Sequence, residues 1–180
     1  TRFLSMTVSN EFRTLCRAFV KSHSAGYDAS HDITHIDRVV TNAIKIYQLS
    51  DESVQSSINL DILIAIALLH DSFDHKYLTT ADAVDKAKAE VSAFLTSPAI
   101  GLSPDQVSLI VSVIDNMGYT SEVSGKSAVT DPVLLQYLMI VQDADRLDAI
   151  GAVGVSRCLA FTGAFNRPII SEDGVVEEKQ

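Results

Sequence analysis

Eight consecutive apolar residues, Ile62 to Leu69, end at His70-Asp71. At helical period such a run has no polar face, so a helix made of it has to be enclosed on every side. It therefore belongs at the centre of the fold, and whatever follows it is delivered to the interior. An imidazole and a carboxylate placed there cost several kcal/mol each unless they are paired or hold a metal.

The rest of the chain reads at the same period, with little β-type alternation, which predicts an all-α protein. Helices are expected over about 9–22, 33–49, 58–72, 81–96, 104–117, 132–148 and 153–161. Asp32, Ser103 and Asp131 are placed to cap three of them, and Pro104 and Pro132 suit the first helical turn. Residues 22–30 and 116–130 are small and polar and read as loops. A single domain is expected over 1–180, with its core in 10–165 and a loop or tail over 166–180.

The formal charge of −9 lacks the basic face that a nucleic-acid polymer requires. It leaves room for a small phosphorylated substrate held by local Lys and Arg. Cys16 and Cys158 each sit in an apolar helical pattern and are expected as reduced core thiols. No apolar run approaches the roughly 18 residues of a membrane span, and Thr1-Arg2-Phe3-Leu4 has no signal-peptide core. A cytoplasmic protein is expected; the sequence leaves its oligomeric state open, with a homodimer among the options.

Two further segments carry charge on apolar helices. His35 follows His31-Asp32-Ile33-Thr34, and Asp143, Asp145 and Asp148 cluster behind Val141. At about 100° per residue, Asp145 falls on the stripe of Leu134, Leu138, Val141, Ala149 and Ala152, with Asp143 and Asp148 off it. Asp145 is thus expected to face the interior and to need a cation, which is either a metal or an arginine such as Arg38 or Arg146. His70 could serve as a helix C-cap, but Asp71 would then meet the wrong end of the helix dipole. Both can reach one ion only at a distorted or terminal turn. A zinc-protease reading of residues 31–35 fails on geometry, since His31 precedes the helix that Asp32 opens.

His-Asp-x-x-His-x-x-Arg-Val at 31–39, Leu-Leu-His-Asp at 68–71 and Asp-Ala-Asp-Arg-Leu-Asp-Ala-Ile-Gly at 143–151 resemble the HD superfamily of metal-dependent phosphohydrolases. The likeness covers about residues 10–165, and the three motifs in this order are far more specific than any one alone. It implies a helical bundle of about six to eight helices and a metal held by His35, His70, Asp71 and Asp145. It also implies one or two helices beyond the last one read here.

Two imidazoles and two carboxylates suit one divalent ion among Mn²⁺, Fe²⁺, Co²⁺, Ni²⁺, Zn²⁺ or Mg²⁺ rather than Ca²⁺. Dinuclear relatives carry extra histidines between the His-Asp pair and the last aspartate; apart from His75 that interval has none, which favours a single metal. The resemblance implies hydrolysis of a phosphate ester or pyrophosphate, most plausibly of a nucleotide, by a metal-activated water. Alarmone hydrolases place two acids after the His-Asp pair. Here the position reads Asp74-His75, the residues expected to handle the proton. Arg38 and Lys76 are expected on phosphate, with Asn116 and Lys126 as further substrate contacts. The competing reading is a metal- or nucleotide-binding regulatory module with little turnover.

Overall fold

A computed structural model describes residues 10–23, 33–73, 78–118 and 129–166. Within them lie eight α-helices, one 3₁₀ turn and no strand. In chain order these are α1 (Asn10–His23), α2 (Ile33–Leu49), α3 (Glu52–Ser57) and α4 (Leu60–Leu69). The 3₁₀ turn His70–Phe73 follows, then α5 (Ala81–Thr96), α6 (Pro104–Asp115), α7 (Pro132–Asp148) and α8 (Gly151–Ala164).

α4 occupies the centre, as its composition demands. Every side chain from Ile62 to Leu69 is buried, against α1, α2, α6 and α7. Its start is fixed by Asn59, whose side chain accepts from the backbone N–H of Asp61 and Ile62. The Tyr137 hydroxyl on α7 receives the Asn59 backbone N–H at 2.6 Å, tying α7 to the same point. α2 packs most extensively on α7, and then on α4. The three segments that carry the charged residues are thereby neighbours.

The expected caps are present where the structure describes them. Ser103 and Gln106 form a reciprocal capping box with Pro104 in the first turn, and Asp131 accepts from Val133 and Leu134. Asp32, the cap expected for α2, lies outside the described residues. The helix expected over 58–72 is shorter: α4 begins only after Asn59 and yields to the 3₁₀ turn at His70. α3 was not foreseen. It has six residues, too few to show a period, and none of them is buried.

α8 also corrects an expectation. Cys16 is fully buried, and burial pushes its thiol up to about 12. Cys158, expected in the core, is exposed on α8, where Gly154 is the one buried residue. α8 meets α7 across a bend of 80°, with Gly151 at φ +69° in the turn. A Cβ on Gly154 would stand 2.1 Å from the Ala149 carbonyl oxygen and 2.3 Å from its carbon. Gly154→Ala should destabilise the protein by about 1–3 kcal/mol, since backbone atoms cannot move aside as a side-chain tip can. Urea unfolding measures this; an unchanged midpoint would mean that the turn widens freely.

Among the described residues no single helix is long and apolar enough to cross a membrane.

Candidate metal centre

α2 supplies His35, the turn after α4 supplies His70 and Asp71, and α7 supplies Asp145. The 3₁₀ turn answers the geometric difficulty of the His-Asp pair. Adjacent residues diverge by about 100° on an α-helix, and the tighter turn redirects them toward one point. His70 Nε2 lies 3.2 Å from Asp71 Oδ1 and 3.9 Å from Asp145 Oδ1. His35 Nε2 lies 3.5 Å from Asp71 Oδ2 and 3.4 Å from the same Asp145 oxygen. The two imidazole rings meet edge to face, 5.2 Å between centroids. One ligand atom from each of His35, His70 and Asp71 fits within a 4.8 Å group.

The other ring nitrogens fix the tautomers. His35 Nδ1 is 2.8 Å from Asp148 Oδ2, and His70 Nδ1 is 2.9 Å from the Ala67 carbonyl. Both partners only accept, so both Nδ1 atoms carry hydrogen and donate. In the neutral rings, each Nε2 lone pair is then left facing the carboxylates. His70 therefore caps α4 through Nδ1 while presenting Nε2 to the cluster. Its Nε2 is buried and makes no hydrogen bond of good geometry among the described residues. Two buried imidazole acceptors set against two carboxylates make a donor set that fits a divalent transition ion.

Burial works against a charge on His70, but the carboxylates of Asp71 and Asp145 and the Ala67 carbonyl outweigh it and raise its pKa.

Asp145 reaches the cluster as its wheel position suggests, yet it is not the buried member of α7. Its side chain is 38% exposed, whereas that of Asp148 is 4% exposed. The stripe that set Asp148 aside is corrected here. Asp148 lies seven residues beyond Val141, two turns along and within about 20° of it, and four beyond buried Ala144. It receives His35 Nδ1–H, two bonds from Arg38 (Nε at 2.6 Å, Nη2 at 3.0 Å) and one from Arg157 Nη1 at 3.2 Å. Burial alone would raise its pKa; the hydrogen bonds from Arg38 and His35 hold it below the usual carboxylate range.

This network reassigns several residues. Arg38, expected on phosphate, forks onto Asp148 and also donates to Thr34 Oγ1. Arg146, a possible partner for Asp145, approaches Asp143 on the surface at 4.0 Å. Asn116, expected over the mouth, ends α6 and turns its amide back to the Ser112 carbonyl at 2.9 Å. Asp74, His75, Lys76, Lys126 and His31 lie outside the described residues. Asp148 and Arg157 were missed; the i+4 and i+7 spacing from Ala144 and Val141 was the signal for the first.

Asp71 and Ser72 also line a cavity of about 280 Å³, together with residues of α1, α2, α4 and α5.

No protein-family model matches the chain. It is 31% identical over 165 residues to YpgQ of Bacillus subtilis (strain 168), covering 92% of this chain and 71% of YpgQ. It is 29% identical over 152 residues to protein L803 of Acanthamoeba polyphaga mimivirus, of which it spans 60%. A solved structure from Lactobacillus plantarum shares the fold with a TM-score of 0.70 at 24% identity, over 96% of this chain and 72% of that one. The crystal structure of YpgQ in complex with ADP superposes with a TM-score of 0.61 at 28% identity, over 91% and 72% of the two chains. These neighbours fit an HD-like helical fold. With that coverage and identity, the chain belongs to the same family as YpgQ.

Proposed function

We propose that this protein is a metal-dependent phosphohydrolase of the HD superfamily, acting on a nucleotide or another small phosphate ester or pyrophosphate. The observation that carries the reading is the pair of buried imidazoles. Each has its Nδ1 committed to an acceptor and its Nε2 turned toward Asp71 and Asp145. A nucleotide as substrate is supported by the ADP bound to YpgQ.

His35, His70, Asp71 and Asp145 would hold the ion. When bound, such an ion acidifies a water and stabilises negative charge at phosphorus. Asp145, more than a third exposed, keeps the cluster within reach of a substrate from solvent. Asp148 holds His35 in the tautomer that leaves Nε2 as a ligand, and Arg38 holds Asp148. Asp74 is assigned to orient or deprotonate the water, with His75 as the alternative acid or base and Lys76 on phosphate.

The test is a reload screen. Metal-stripped protein is supplied with Mn²⁺, Co²⁺, Ni²⁺ or Mg²⁺ and offered nucleoside mono-, di- and triphosphates and a generic phosphodiester. Phosphate or pyrophosphate release with at least one ion is expected, and it should be lost in Asp74→Ala while metal binding persists. Tight ion binding with no release in any combination would point to the regulatory module instead.

A further inference from the structure

α8 is joined to the bundle with little apolar burial. Among the described residues it packs mainly on α7, and Gly154 is its one buried residue. Gly154, Arg157 and Phe161 follow one another at steps of three and four residues and so share a helix face, the less exposed one. Val153, Val155 and Leu159, the larger aliphatic side chains of the helix, are exposed. The inner stripe is thus a glycine, an arginine and one half-buried ring, which offers little apolar area to seat a helix. What the stripe does carry is a charge-assisted hydrogen bond. Arg157 Nη1 donates to Asp148 Oδ2 at 3.2 Å, on a carboxylate only 4% exposed.

The same oxygen receives His35 Nδ1–H at 2.8 Å and Arg38 Nη2 at 3.0 Å. His35 and Arg38 lie one turn apart on α2 and move as a unit with that helix. Arg157 grips the carboxylate from a different element. Anchored from two helices, Asp148 is fixed in direction more firmly than from one, and it in turn sets the rotation of the His35 ring. The guanidinium charge itself works the other way: it is felt at His70, where it opposes a positive charge. It is the weakest of the influences on that ring, behind Asp71, Asp145 and the Ala67 carbonyl. Repulsion is therefore the lesser effect of Arg157 at the centre, and its grip on Asp148 the greater.

We infer that Arg157 is a positioning residue for His35: acting through Asp148, it ties the orientation of that ligand to the seating of α8. The inference rests on the metal-centre reading only for what His35 holds, and the test separates the two. In the metal-free full chain, NMR follows exchange with water of the Nδ1 protons of His35 and His70. His70 serves as the internal control, because the Ala67 carbonyl holds its Nδ1 without any help from α8. Arg157→Gln should accelerate the His35 exchange about tenfold and leave that of His70 unchanged. Gly154→Ala, which pushes α8 away from the Ala149 carbonyl without touching a donor, should produce the same selective acceleration. Arg157→Lys keeps the charge but not the planar fork, so it should recover part of the effect, and it carries the test if the glutamine variant fails to fold. Calorimetry with Mn²⁺ should show affinity lowered about three- to tenfold in Arg157→Gln, less than the roughly 10–100-fold typical of partners that touch the ligand directly.

Unchanged exchange at His35, equal acceleration at both histidines, or an Mn²⁺ affinity in Arg157→Gln within twofold of the parent value would each overturn the role of Arg157. A selective effect of Arg157→Gln that Gly154→Ala fails to reproduce would overturn the tie to α8. A parent chain that binds no Mn²⁺, while His35 alone responds to these variants, would uphold the positioning and remove the metal reading.

Discussion

His70→Ala is expected to abolish high-affinity Mn²⁺ binding and, with it, all phosphate release. The imidazole sits where α4 gives way to the 3₁₀ turn, 2% exposed, its Nδ1 held by the Ala67 carbonyl. No neighbouring side chain can take its place, because the adjacent turn of α4 is wholly apolar. Losing a direct ligand should exceed the roughly 10–100-fold penalty typical of outer partners. The parent protein should also bind the ion less tightly as pH falls, because its raised pKa keeps a proton competing for Nε2. Calorimetry in two buffers of different ionisation heat reads the affinity and the released proton together. An Mn²⁺ dissociation constant within twofold of the parent value would remove His70 from the centre.

Asp148→Asn should weaken metal binding by about 10–100-fold without touching a ligand atom. The asparagine keeps the shape but offers one acceptor oxygen where His35, Arg38 and Arg157 now share two. His35 then loses its fixed tautomer, and two guanidinium groups lose their counter-charge. Breaking a fully buried pair costs about 3–5 kcal/mol; with Arg38 38% exposed, roughly 2–3 kcal/mol of stability is expected here. The pH dependence has a definite sign. The folded pKa of Asp148 is depressed, so its contribution is present above the unfolded value of about 3.9 and is lost as pH falls through the lower folded value. The parent protein should therefore lose stability more steeply than Asp148→Asn below about pH 4. Parallel acid-unfolding curves, or an unaltered metal affinity, would show that Asp148 only fills space.

The centre of the fold was readable in the sequence because a run without polar residues has only one place to go. The capped starts of α6 and α7 were readable for a similar reason: Ser-Pro-Asp and Asp-Pro make their hydrogen bonds locally, whatever surrounds them. α3 was not, since six residues of Ser, Gln, Val and Glu display no period. Cys158 was misplaced because an apolar pattern reports a helix, not whether another element covers it. The candidate site divides along the same line. His35, His70, Asp71 and Asp145 come together as spacing and resemblance implied. Asp148 needed the observed rotation of α7, since several stripes of that helix are apolar and only packing against α2 selects one.

The bend between α7 and α8 shows how far the centre depends on the finished fold. Arg157 reaches Asp148 across an 80° bend that Gly151 and Gly154 accommodate, and His35 lies 113 residues before Asp148. An unfolded chain holds no such set of donors, so an ion captured there links three distant stretches much as a crosslink would. If the centre holds an ion, metal concentration would enter the folding equilibrium itself, and the unfolding midpoint would become a property of the medium as much as of the chain.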